Sequence, residues 1–230
     1  MSTGGTQEVV VVIQSQRNSY HARRGEQRKV EILQQAADLG QGGLLRVLLL
    51  HQLSEFEGDW SVLPALPRLF AAYGRRASWF FFVEEETRLK VAALLQEWFL
   101  GSGLHDDEAS IIHHYAFAED PGSFSYPDPR AGWAVSTPLL KRLAVRLQHG
   151  SLKSDFTIDL HHEVALYVWD DGKGPKLTAV AEFCSQRRDG CATWFTTYLP
   201  YCGEPVPKTD VFVAVKTCQK FHQDRGEGAA

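Results

Sequence analysis

Ser78-Trp79-Phe80-Phe81-Phe82-Val83-Glu84-Glu85-Glu86-Thr87-Arg88 is the stretch on which the reading of this chain turns. Five consecutive bulky apolar residues predict a strand buried on both faces, as in the middle of a parallel sheet, because a strand with one wet face alternates instead. The run stops on three carboxylates. In an open α/β sheet, ligands sit beyond the carboxyl ends of the strands. An acidic cluster there is placed to hold a cation or a polar substrate, and carboxylate oxygens suit hard divalent ions such as Mg²⁺ or Mn²⁺. The competing reading is that the three glutamates open the next helix, where the dipole favours negative charge.

Upstream, the β-branched residues 8–13 predict a first buried strand and residues 14–19 a polar loop. A helix follows, with Val30, Leu33 and Ala37 at helical spacing and Gly40, Gly42 and Gly43 ending it. Residues 46–52 form a second short apolar run, and residues 60–73 read as helical despite Pro64 and Pro67. This βαβα opening predicts an α/β fold: a mostly parallel central sheet flanked by helices, with strands 9–13, 47–50 and 79–83 side by side at its centre.

Downstream, residues 86–96 read as a short helix with Leu89, Ala93 and Leu94 on one face, and residues 97–100 as a strand. His105-Asp106-Asp107-Glu108 and His113-His114 match no defined metal spacing, and adjacent histidines on a strand point to opposite faces. Gly132-Trp133-Ala134 predicts a close approach of backbone to a packed helix or a ligand. A helix then has Ser136 or Thr137 as cap, Pro138 in its first turn, Leu140, Leu143, Ala144 and Leu147 as its stripe, and Gly150 as its stop. Another starts at Ser154 or Asp155, with Phe156, Leu160, Val164 and Val168 at steps of four. Asp155 has two readings, as the cap of that helix or as a general base at a cleft mouth.

The chain has 230 residues, 44% hydrophobic and 11% aromatic, enough for one sizeable core. A formal net charge of −4 offers no broad basic surface, so nucleic acid is not an expected partner. No apolar run approaches the roughly 20 residues that span a bilayer. Residues 1–7 carry no secretory pattern and are expected to be disordered. Cys184, Cys191, Cys202 and Cys218 fit neither a zinc nor a thioredoxin spacing and read as disulfide staples of an oxidising compartment. Cys184 and Cys191 enclose six residues, a loop that a bridge can close if the Cα atoms lie within about 7 Å. Cys202 then pairs with Cys218 or with a residue outside this sequence. A targeting segment outside it would reconcile the absent signal with the cysteines.

Near the end, residues 210–217 read as another strand, and Phe221-His222-Gln223-Asp224-Arg225 echoes Tyr20-His21-Ala22-Arg23-Arg24. Residues 8–207 are thus expected to form one domain and residues 208–230 the truncated start of a second of the same kind. His21 and Arg24, in the first copy of the repeated pattern, are candidate nucleotide contacts.

Several stretches carry a resemblance: Val12-Ile13-Gln14-Ser15-Gln16, Glu84-Glu85-Glu86-Thr87-Arg88, Glu97-Trp98-Phe99-Leu100-Gly101, Ile111-Ile112-His113-His114-Tyr115-Ala116-Phe117, Ala131-Gly132-Trp133-Ala134, Ser151-Leu152-Lys153-Ser154-Asp155-Phe156-Thr157-Ile158-Asp159 and Phe212-Val213-Ala214-Val215-Lys216-Thr217-Cys218. With these, the chain resembles the N-terminal, Fringe-like domain of the Fringe/β-1,3-glycosyltransferase family. It is most similar to members that extend O-linked fucose on thrombospondin type 1 repeats. The resemblance implies a nucleotide-sugar transferase (GT-A-like) fold, Mn²⁺ and UDP-glucose as cofactor and donor, O-fucosylated repeats as partners, and the endoplasmic reticulum lumen. It also implies a second, catalytic domain. Glu84-Glu85-Glu86 stands where relatives carry a metal-binding D-x-D, which makes Glu84 and Glu86 the implied candidate metal ligands, and Asp155 matches their catalytic base. The join of Gln96 to Glu97 is shorter than in relatives. Two functions follow: a metal-dependent glycosyltransferase, or a non-catalytic or weakly active module that recognises the acceptor or supports the catalytic domain.

Overall fold

The computed structural model describes residues 8–53, 61–95, 111–113, 127–150, 160–175, 177–197, 207–210 and 212. The chain divides into two units, residues 1–197 and 198–230. In the second, the described residues are Pro207, a 3₁₀ turn at Lys208–Asp210, and Phe212, which is exposed.

In the first unit, β1 (Glu8–Gln14) is almost wholly buried. Asn18 caps α1 (Ser19–Asp38) by accepting a 2.9 Å hydrogen bond from the Tyr20 amide. Then come β2 (Leu45–Leu49), 3₁₀ turns at Leu50–Gln52 and Leu63–Ala65, α2 (Leu66–Tyr73), β3 (Ala77–Glu84), β4 (Thr87–Leu89) and a single turn, α3 (Val91–Ala93). β5 (Ile111–His113), β6 (Trp133–Ser136), α4 (Thr137–His149), α5 (Leu160–Trp169), β7 (Leu177–Ala179) and β8 (Thr193–Phe195) complete it. The main sheet runs β2-β1-β3-β6-β5-β7, with only β6 antiparallel to its neighbours. The three expected strands do lie side by side, but β2 is the edge among the described residues, and it ends at Leu49.

Strand alternation divides the core into two layers. Val9, Val11, Ile13, Trp79, Phe81 and Val83 pack toward Ile32 and Ala36 of α1. Val10, Val12, Phe80 and Phe82 pack toward Leu66 and Leu69 of α2, Leu139, Leu140 and Leu143 of α4, and Val164 and Val168 of α5. Helices therefore cover both faces, which is why β3 is apolar without interruption from Trp79 to Val83.

Two expectations fail in informative ways. The buried stripe of α1 is Gly25, Arg28, Ile32 and Ala36, while Val30 is 64% exposed and Leu33 37%. A Cβ at Gly25 would lie 3.0 Å from Leu49 Cδ2 and 3.1 Å from Ser15 Cβ, so the missing side chain sets how closely α1 approaches the sheet. Of residues 86–96, read as a helix, residues 86–93 instead form a turn, β4 and α3. β4 pairs antiparallel with β8, about a hundred residues later, and Thr87 donates to the Arg130 carbonyl at 3.0 Å. A distant partner strand overrides the local helical spacing, and the three glutamates open no helix.

Gly132 has φ +81°, and a Cβ there would come within 2.7 Å of Phe81 Cζ. Its close approach is thus to side chains of a strand, Phe81 and Val83, and not to a helix. α4 follows as expected, with Ser136 as cap and Gly150 as stop. Cys184 and Cys191 are bridged, with Cα atoms 5.9 Å apart. Cys202, Cys218, Asp155, the helix start at Ser154, strand 97–100, the Gln96–Glu97 join, His105-Asp106-Asp107-Glu108, His114 and residues 213–217 lie outside the described residues.

Candidate functional site

The chain passes from β1 through α1 to β2 on one side, then through α2 to β3 on the other, with α1 and α2 on opposite faces. Between the carboxyl ends of β1 and β3 the strand order reverses, the place where open α/β sheets form a ligand crevice. Gln14 and Glu84 are register partners there. Continuing the alternation, their side chains share the face of Val10, Val12, Phe80 and Phe82, and Glu85 turns to the opposite face.

On the α1 side, His21, Arg24 and Arg28 recur at helical spacing and meet Glu85 and Glu86. His21 Nδ1 closes on Glu85 Oε1, Arg24 Nε lies 3.9 Å from Glu86 Oε1, and Arg28 Nε donates to the Glu85 carbonyl at 3.1 Å. Glu85 is 5% exposed, and burial pushes its carboxyl upward against the opposing pull of His21. Arg28 also pairs with Glu31, which holds Arg88 as well, and burial lowers the Arg28 guanidinium to about 10. Paired charges of both signs fasten α1 to the end of β3.

On the other face, burial raises Glu84 to about 7, reinforced by the charges of Glu86 and Asp128 and opposed by Arg130. His161 Nε2 of α5 lies 3.7 Å from Glu84 Oε1. Asp128 accepts from the Arg130 amide and from its guanidinium at 3.0 to 3.1 Å, which pulls the Arg130 guanidinium upward. Gln14 Nε2 is buried with no hydrogen-bond partner among the described residues. Beside His161 is a small apolar hollow lined by Pro127, Trp133, Val164 and Ala165, with Trp133 stacked on Phe82 at 4.3 Å.

Among the described residues, the donors around the end of β3 do not compose a cation site. Each glutamate faces a cationic or imidazole side chain of its own, and no group of three His, Cys, Asp or Glu placed to hold a metal occurs among the described residues. Of the residues singled out from sequence, Glu84, Glu86, His21 and Arg24 gather around the end of β3, whereas Asp155 is not described. Sequence reading missed Gln14, Glu85, Asp128, Arg130 and His161. The period-two rule, extended two residues past the apolar run, would have set Glu85 apart from Glu84. Nothing in sequence spacing brings His161 to β3.

No family model matches the chain. It is 59% identical over 227 residues to the β-1,3-glucosyltransferase of Homo sapiens, covering 94% of this chain and 45% of that protein. To the β-1,3-glucosyltransferase of Mus musculus it is 57% identical over 228 residues, covering 95% of this chain and 46% of that protein. Its fold is similar to a glycosyltransferase involved in glycosylation of the major capsid of PBCV-1, with TM-score 0.52, 9% identity and coverage of 86% of this chain and 94% of that one. The fold is accordingly that of the GT-A glycosyltransferases. The chain spans about half the length of the curated relatives it matches, and by sequence it belongs to the β-1,3-glucosyltransferase family.

Proposed function

We propose that this chain is the glycosyltransferase-fold domain through which a β-1,3-glucosyltransferase recognises an O-fucosylated thrombospondin type 1 repeat or supports a catalytic domain, and that it transfers little or no glucose by itself. The endoplasmic reticulum lumen is the compartment this reading requires, and the Cys184–Cys191 bridge supports an oxidising one. Residues 8–207 serve as the domain and residues 208–230 as the opening of a second, on the echo of Tyr20-His21 and Arg24 in Phe221-His222 and Arg225.

The observation that carries the reading is the separate commitment of three adjacent glutamates, Glu84 to His161, Glu85 to His21 and Glu86 to Arg24. A Mn²⁺ ion on a diphosphate needs carboxylates converging on one point. Here His21 and Arg24, near the amino end of α1 where anions are favoured, are the proposed contacts for a nucleotide. Calorimetric titration with UDP-glucose, with and without Mn²⁺, beside a turnover assay on an O-fucosylated repeat, tests this. The module reading predicts binding of the repeat with no turnover. Mn²⁺-dependent turnover that Asp155→Asn abolishes in a folded chain would establish the metal-dependent enzyme instead. That second reading draws on one feature: Glu86 lies close enough to Glu84 to raise its pKa, a repulsion that a shared cation would relieve.

A further inference from the structure

We infer that the outward side of the β4–β8 sheet, where Lys90 and Arg187 flank the Trp194 ring, docks an acidic peptide segment of a partner protein. The crevice at the end of β3 plays no part in this interaction.

Three pieces of chain meet on this side. Arg88 and Trp194 are register partners across β4 and β8, and their neighbours Thr87, Leu89 and Thr193 are buried. Alternation therefore turns Arg88 and Trp194 outward, and Lys90, which follows in extended backbone, joins them. The third piece is the loop closed by the Cys184–Cys191 bridge. Arg188 ties that loop down, with Nη2 donating to the Ala181 carbonyl at 2.8 Å and Nε 3.3 Å from Cys184 Sγ. Its neighbour Arg187 reaches the indole instead. The Arg187 Cζ lies 5.4 Å from the ring centroid and the Lys90 Nζ 5.9 Å.

Lys90 and Arg187 are exposed, Trp194 is half-buried, and neither cation has a carboxylate within ion-pair distance among the described residues. In a chain of net charge −4, two adjacent cations without acidic partners form a local field of the opposite sign. Stacking on an exposed indole stabilises the fold only modestly, whereas tryptophan and arginine are the side chains that anchor protein interfaces. Carboxylates of an acidic segment pair with both cations, and its carbon stems cover the open part of the ring. A long polyanion such as nucleic acid or a sulfated polysaccharide suits this side less, because it draws on a run of free cations. Here Glu31 holds Arg88, the loop holds Arg188, and Asp189 stands exposed in the same loop.

The test is a fluorescence-anisotropy titration of the oxidised chain against a fluorescein-labelled peptide of alternating Glu and Val, beside the same peptide with Gln in place of Glu, and against labelled heparin. The expected result is saturable binding of the Glu peptide that weakens as salt is raised, with no binding of the Gln peptide. Combining Lys90→Gln with Arg187→Gln should weaken the affinity about tenfold, the loss of contacts to charged groups. Both side chains are exposed, so the variant keeps its fold, which circular dichroism checks. Arg75→Gln, which removes an exposed cation just before β3, should leave the affinity unchanged. Absence of saturable binding, undiminished binding in the double variant, or an equal loss in Arg75→Gln overturns the inference. Binding of heparin without binding of the Glu peptide overturns it as well, by assigning the surface to sulfated polysaccharide.

Discussion

Glu84 and Glu85 are neighbours in sequence but serve opposite faces of the sheet: Glu84 meets His161 of α5 at 3.7 Å, and Glu85 closes on His21 of α1. A carboxylate pair that looks like one acidic cluster on paper is two separate sites in space. One fastens a helix, and the other borders a crevice.

The Glu84 carboxyl, raised to about 7 by burial, links stability to pH. Its folded pKa lies above its ordinary value of 4.5, so its contribution is fully present below about 4.5 and is lost as pH rises through 7. Glu84→Gln should therefore stabilise the chain at pH 8 by about 1–2 kcal/mol, discounted for partial exposure, and have little effect at pH 4.5. Thermal unfolding of both forms across this range would show it. An equal effect at both ends would mean that Glu84 is not desolvated in the folded chain.

Breaking the α1 fastening should be costly and coupled. His21→Ala leaves the 95%-buried Glu85 carboxylate without its partner, and should destabilise by about 1–3 kcal/mol. In a double-mutant cycle with Glu85→Gln by urea denaturation, the coupling should exceed about 0.5 kcal/mol. Additive effects would rule out the pairing.

Gly132 and Gly190 both have positive φ, +81° and +84°, but only Gly132 faces crowding, with Phe81 Cζ 2.7 Å from a Cβ placed there. Gly190→Ala should cost about 1 kcal/mol from backbone strain alone. Gly132→Ala should cost at least about 2 kcal/mol more through overpacking. Comparable midpoints for the two variants in denaturant would refute the contact between the Gly132 backbone and Phe81.

Peptide mapping without reduction should recover Cys184 joined to Cys191. Replacing both by Ser should lower stability by about 2 kcal/mol, a modest amount because the closed loop is short. Recovery of Cys184 linked to Cys202 or Cys218 would contradict the bridge.

Residues 79–83 and the valines of β1 determined the architecture by themselves. Runs of bulky and β-branched residues with no polar alternation can be buried only by covering both faces of a sheet, and the intervening helical spacings supplied the covers. Ser136, Pro138 and Gly150 likewise fixed α4, since capping is local chemistry. The tertiary structure alone decided which side of α1 is inside. Hydrophobic count favoured Val30 and Leu33, but close approach at Gly25 and a satisfied Arg28 turned the helix the other way. It also made a strand of residues 87–89 by bringing β8 beside them. The fate of the three glutamates was decided in the same way. Their partners His21, Arg24 and His161 come from helices distant in sequence, and a carboxylate's chemistry is set by the charge and burial around it, which no run of neighbouring residues encodes.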